Sequence, residues 1–221
     1  MITPNYDRAA TKAVETLIKY NIRNIPIDPI PIIKKADGFN VVTFTEMSKQ
    51  LGIERDALIN TFETENRDAI TSAYVKDGKT RYIVAYNMRL PQYLIQRALA
   101  REIGHIVLGH DGTLPEEVRQ AEALCFAYHF ICPRAVIHAI QERNIIITTE
   151  ILGNVTGCFE RCLLGMRKTP ATHVLPELNS KVKEQFAEYI DEFLSFQPFL
   201  AKDDESMIAN FGSYMEGYEE L

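Results

Sequence analysis

The residues best suited to chemistry lie in one stretch, Ala98-Leu99-Ala100-Arg101-Glu102-Ile103-Gly104-His105-Ile106-Val107-Leu108-Gly109-His110. It differs by one letter from H-E-x-x-H. In that pattern two imidazoles four residues apart on a helix hold Zn²⁺, and the glutamate beside the first takes a proton from the metal-bound water. Glu102 stands at the general-base position and His105 at the second ligand position. Arg101 stands where the first histidine belongs. A guanidinium offers N–H donors and no lone pair, stays protonated, and repels a divalent cation. Arg101 and His105 are i and i+4, so they share a helix face. The spacing of a metal site is kept while the chemistry of one ligand is not. His110 is i+5 from His105, about 140° further round an ideal helix. It can join the site only if the helix ends first and the chain folds back. Otherwise it is a helix-end residue that satisfies terminal carbonyls.

A site on a helix needs a surface behind the helix. Pro91 suits a helix start. Ile95, Leu99, Ile103 and Ile106 recur at spacings of four, four and three, an apolar stripe meant for a sheet. Leu94, Ala98, Arg101 and His105 form the stripe beside it. The sheet is supplied by Phe39 to Phe44 and by Thr71 to Asn87, where two alternating runs flank Asp77-Gly78. That dipeptide favours a tight hairpin because both residues tolerate positive φ. The fold predicted is α+β, a small antiparallel sheet packed on a helical body. Gly109 and Gly112 end the site helix. Thr113 with Glu116 reads as a capping box for the next helix, which Pro133 stops. Its core stripe is Val118, Ala121, Cys125, Tyr128 and Cys132, with Glu122 and Phe126 on an adjacent face. Further helices are predicted at 7–20, 29–35, 135–143, 157–167 and 182–194. Residues 45–62 read as two short helices joined at Gly52, superficially a helix-turn-helix. The second carries Glu54, Arg55 and Asp56, with no net positive charge, which argues against a DNA-associated regulator using 45–62.

Three segments in order carry a resemblance. "ALAREIGHIVLGH", "RYIVAYN" (Arg81 to Asn87) and "AEALCFAYHFICP" (Ala121 to Pro133) are similar to segments of the ImmA/IrrE family of metallo-endopeptidases. The likeness spans about residues 10 to 168. It implies a minimal zincin-like fold over 1–170, followed by a helical, acidic-ended extension over 171–221. It also implies that Glu122 is the third metal ligand, beside His105, with Glu102 as general base. Two surviving protein ligands are too few for a catalytic zinc site, which keeps three. His110 or His129 would have to supply the missing one. His129 lies seven residues after Glu122 on the same side of its helix, and its plain alternative is a half-buried side chain. The expectation is therefore no metal cofactor, with Zn²⁺ bound only if the site is rescued. Arg101 is expected to pair with Glu122, and secondarily with Glu102, as a built-in substitute for the metal charge. Active relatives cleave a helix-turn-helix repressor of a mobile element or stress response. The expected partner is such a repressor, bound without efficient cleavage. The alternative is an active endopeptidase with a non-standard ligand set.

Composition sets the outer limits. The 221 residues are 46% hydrophobic and 24% charged, with a net charge of −6. That suits a globular chain with its own core and no basic stripe for a nucleic-acid backbone. No apolar run reaches the roughly 20 residues of a membrane helix, and the first 20 residues lack a signal core, so a cytoplasmic location is expected. Cys125, Cys132, Cys158 and Cys162 are spaced C-x6-C and C-x3-C, a poor match to zinc knuckles, and read as buried thiols. The apolar helix face around Val182, Phe186, Ile190 and Phe193 packs on the domain or serves oligomerisation.

Overall fold

The structure is a computed structural model that describes residues 2–54, 56–57, 68–143, 145, 147–157 and 170–195. The expected helix at 157–167, the second half of the 45–62 segment, Cys158 and Cys162 fall largely or wholly outside these residues. The chain divides into two compact units, one of Asp28–Ala127 and one of Met1–Ile27 with Tyr128–Leu221.

The first unit holds the sheet. Helix α2 (Pro29–Lys35) opens with Asp28 as its cap, whose carboxylate accepts from the Ile30 N–H at 3.0 Å. Strand β1 (Phe39–Thr43) runs straight into helix α3 (Phe44–Leu51). Thr43 and Glu46 make a capping box there, and Gly52 ends the helix in the left-handed region at φ 64°. Strands β2 (Ala69–Lys76) and β3 (Lys79–Tyr86) form the predicted hairpin, with Asp77 at φ 52° and Gly78 at φ 69°. Both turn residues have positive φ, the geometry that matches the twist of paired strands.

The α+β architecture is the one the sequence implies, and one detail is corrected. The sheet order is β1-β3-β2, and β1 pairs parallel to β3, from Phe39 opposite Tyr82 to Thr43 opposite Tyr86. The sheet is mixed, not antiparallel throughout. A parallel pair cannot be joined by a tight turn, and α3 and β2 both lie between β1 and β3 in the chain. Central β3 buries Val84 and Ala85 completely. Phe44 and Met47 of α3 pack with Val42, Ile70 and Ala85 in one apolar cluster. Helix α4 (Gln92–Val107) lies against β2, β3 and α2 and buries Ile95, Leu99 and Ile103 of the stripe read from its spacing, while the fourth member, Ile106, is half-buried and lines a groove. Helix α5 (Glu116–Ile131) begins in this unit. The capping box expected from Thr113 does not form: its hydroxyl and N–H both donate to Asp111 Oδ1, at 2.8 and 3.0 Å, so Asp111 closes a turn instead.

The second unit is helical. It holds helix α1 (Tyr6–Lys19), the end of α5, and helices α6 (Arg134–Gln141), α7 (Thr149–Thr156), α8 (Pro176–Gln185) and α9 (Ala187–Ser195). The single helix expected at 182–194 is broken at Phe186, whose ring is fully buried. Helix α8 packs on α1 and α6, and Gln185 donates to the Leu17 carbonyl at 2.9 Å and to that of Ile22. Among the described residues no single helix is long and apolar enough to cross a membrane.

Candidate functional site

Helix α4 is tied to the start of β2 by three of its side chains. Arg97 reaches Asp68 at 3.3 Å. One turn on, Arg101 Nη2 donates to the Ala69 carbonyl at 3.3 Å and to Glu102 Oε1 at 2.7 Å. Glu102 Oε2 accepts from the Thr71 hydroxyl at 2.8 Å. The Arg101 and Glu102 side chains are only 9% and 6% exposed, so this ion pair is shielded from water. Both carboxylate oxygens of Glu102 are held by donors. Arg101 Nε is buried with no acceptor, the cost of fitting a long donor into this position.

Of the two partners expected for Arg101, the primary one is corrected by this geometry and the secondary one is found. The guanidinium takes Glu102 and not Glu122. Glu122 instead accepts from His110 Nε2, at 3.0 Å, with the two side chains 1% and 3% exposed. The other nitrogen of that ring, Nδ1, lies 2.9 Å from His105 Nδ1. His105 and His110 meet edge to face, with ring centroids 5.1 Å apart.

His110 arrives there because α4 stops short of it. Gly109 sits at φ +67°, the Gly109 N–H bonds to the Ile106 carbonyl at 3.1 Å, and the His110 N–H bonds to the His105 carbonyl at 2.9 Å. This pair of bonds is the Schellman helix end. It turns the chain back on itself, so the ideal-helix angle no longer applies and the i+5 residue lands beside His105. Helices α4 and α5 also approach closely. A Cβ placed on Gly104 would lie 3.0 Å from the Phe126 ring and 3.2 Å from the Ala123 carbonyl. That close approach brings Glu122 within reach of His110.

A groove of about 960 Å³ opens beside these residues, lined by Thr71, Tyr82, Arg101, Glu102, His105 and His110 among others. Burial holds His105 well below the usual imidazole range, to about 4, and the charges of His110, Arg101 and Arg119 push the same way. His105 is therefore neutral at neutral pH. His129 belongs to the helical unit, where it is buried and its Nε2 lies 3.0 Å from Thr172 Oγ1. Desolvation lowers it to about 3.

As they stand, these donors do not fit zinc. The first ligand position carries a permanent cation, and His110 spends both ring nitrogens on His105 and Glu122. Among the described residues no group of three or more His, Cys, Asp or Glu side chains is arranged to hold a metal ion. Sequence reasoning brought Arg101, Glu102, His105 and Glu122 to the right region. It missed Thr71, for which the sequence holds no signal. It admitted His110 only on the condition that the helix ends first and the chain folds back, and the helix end at Gly109 meets that condition.

Residues 55–155 match a peptidase family model described as the IrrE N-terminal-like domain, a stretch that includes the hairpin, α4, α5 and every residue of the cluster. No curated protein and no solved structure matches the chain.

Proposed function

With residues 55–155 forming an ImmA/IrrE-type metallopeptidase-like domain, we propose that the chain is a degenerate peptidase that works by binding a protein partner without cutting it efficiently. One observation carries this reading: Arg101 stands at a ligand position and delivers its guanidinium to Glu102 at 2.7 Å. Two requirements of metal-assisted hydrolysis are affected at once. A divalent ion is repelled from the position, and the residue that would activate water is already neutralised. The groove beside the pair remains available for a polypeptide. The partner class suggested by the family is a helix-turn-helix repressor of a mobile element or stress response. The test is metal content and cleavage together. Protein purified without chelator is analysed for zinc, then incubated with a candidate repressor with and without added Zn²⁺. Capture of intact repressor with no fragments supports the proposal. Stoichiometric zinc with chelator-sensitive cleavage defeats it.

The position of His110 favours a second reading, an active endopeptidase with a non-standard ligand set. His105, His110 and Glu122 already touch in series. A rotation of the His110 ring would let one of its nitrogens share an ion with His105. On this reading, native protein binds zinc and His110→Ala abolishes that binding.

A further inference from the structure

Resting on the reading that the groove holds a protein partner, we infer that Arg101 closes the beginning of the sheet's free edge, so that the partner adds to the sheet as a strand only along residues 71–75. Strand β2 is the edge strand: the order is β1-β3-β2, and among the described residues no strand lies on its far side. The hydrogen-bond pattern of the hairpin tells which backbone groups of β2 face outward. The Asn87 N–H bonds to the Asp68 carbonyl at 2.9 Å, one step before the Ala69–Tyr86 pair. Hydrogen-bonded pairs alternate along an antiparallel ladder, so Ile70, Ser72, Tyr74 and Lys76 turn their N–H and C=O toward β3. Ala69, Thr71, Ala73 and Val75 turn theirs away from it. The Arg101 guanidinium takes the first of these outward carbonyls, that of Ala69, at 3.3 Å.

The two halves of β2 differ. Its start is tied to α4, through Arg97 on Asp68, Arg101 on the Ala69 carbonyl and Glu102 on the Thr71 hydroxyl. The last of these bonds leaves the Thr71 backbone groups unspent. From Ala73 to Lys76 the strand is exposed, and the paired register runs on without a bulge or a proline. An edge left this open is a template for another strand. Thr71 and Ala73 also line the groove, so a strand added there lies within it. Apart from its histidines, the charged residues of the groove are Arg101 and Glu102, which pair with each other, and Asp111, Glu116 and Arg119. Two carboxylates against one guanidinium favour a basic segment, and the whole chain carries a net charge of −6. The occupant is therefore an extended, basic stretch of the partner, held by backbone hydrogen bonds and selected by charge. Its register is fixed because pairing further back would have to displace a guanidinium that is buried and already paired.

The probe is a blocked peptide of alternating valine and lysine, about seven residues long, roughly one strand. It is set against its valine–glutamate counterpart and against a copy N-methylated at every residue, which keeps the charge and has no N–H to give. Backbone amide shifts of the full chain are followed by NMR during titration. The valine–lysine peptide is expected to move the amides of Thr71, Ala73 and Val75 and to leave that of Ala69 in place. The other two peptides should bind about tenfold more weakly or worse. Ala73→Pro removes an outward N–H and no ladder bond, so it should weaken binding about 2–10-fold with the fold kept. In Arg101→Leu with Glu102→Leu, which removes both charges together, the Ala69 amide should join the responding set. Edge amides that respond to neither unmethylated peptide, or full affinity for the methylated copy, overturn the strand addition. An Ala69 amide that moves in the native chain overturns the role of Arg101, and equal affinity for the glutamate peptide overturns the basic occupant. Capture of intact repressor without these shifts removes this inference and leaves the proposed function standing. Stoichiometric zinc with chelator-sensitive cleavage removes the proposed function whatever the edge amides do.

Discussion

Arg101 and Glu102 depend on each other. Each is a buried charge whose main compensation is the other, and breaking such a pair from one side leaves an unpaired ion in a poor solvent for it. Arg101→Ala should lower stability by about 3–5 kcal/mol, read from urea midpoints. The double replacement Arg101→Leu with Glu102→Leu should cost much less than the sum of the two single changes, because no charge is left behind. Additive costs would show that the pair is not coupled. Thr71→Val removes the donor to Glu102 Oε2 and should cost about 1–3 kcal/mol. At this scale the sequence was informative about residue types and poor about partners. A cation at a ligand position is visible in the string of letters. Which of two carboxylates it takes depends on side-chain reach: Glu102 is its sequence neighbour, while Glu122 is held by a histidine on the far side of a helix end.

The elements matter through two glycines. Gly104 lets α4 and α5 touch: a Cβ there would press on the fully buried Phe126 ring and on a backbone carbonyl that cannot swing away. Overpacking typically costs about 1–3 kcal/mol, against roughly 1 kcal/mol gained in helix propensity. Gly104→Ala should therefore be destabilising on balance, with a lower melting temperature as the readout. An unchanged or raised melting temperature would mean Phe126 yields more easily than its burial implies. Gly109 has open space around it but a φ of +67°, so Gly109→Ala should cost about 1–2 kcal/mol through backbone strain alone. It should also loosen His110. The elements themselves were readable from apolar spacing, since α4 and the hairpin sit where period and turn chemistry put them. The order of the strands was not. An alternating pattern marks which face of a strand is buried and carries no record of its neighbour, so the parallel β1–β3 pair had no cue.

For the whole molecule, each unit carries a histidine that its surroundings keep neutral, His105 half-buried and His129 buried. His105 lies in the sheet unit, with burial and nearby positive charge holding it at about 4. His129 lies in the helical unit and is held at about 3, chiefly by burial. Unfolded, both revert to the ordinary value near 6.5. Between that value and the folded one, the unfolded chain binds the proton and the folded chain refuses it. Stability is therefore fully present above pH 6.5 and falls as the solution is acidified toward about 4 and about 3. Each group contributes a slope of at most about 1.4 kcal/mol per pH unit. Neither shift was legible beforehand, because a histidine in a sequence looks the same whether it faces water or is buried, as His129 is here. The check is a series of urea unfolding curves between pH 7 and pH 4.5. Midpoints should fall steadily toward acid, and His129→Asn should flatten part of the slope because an amide has no proton to gain. A midpoint that holds constant down to pH 4.5, or a variant with the native slope, would mean that water reaches these rings before the chain unfolds.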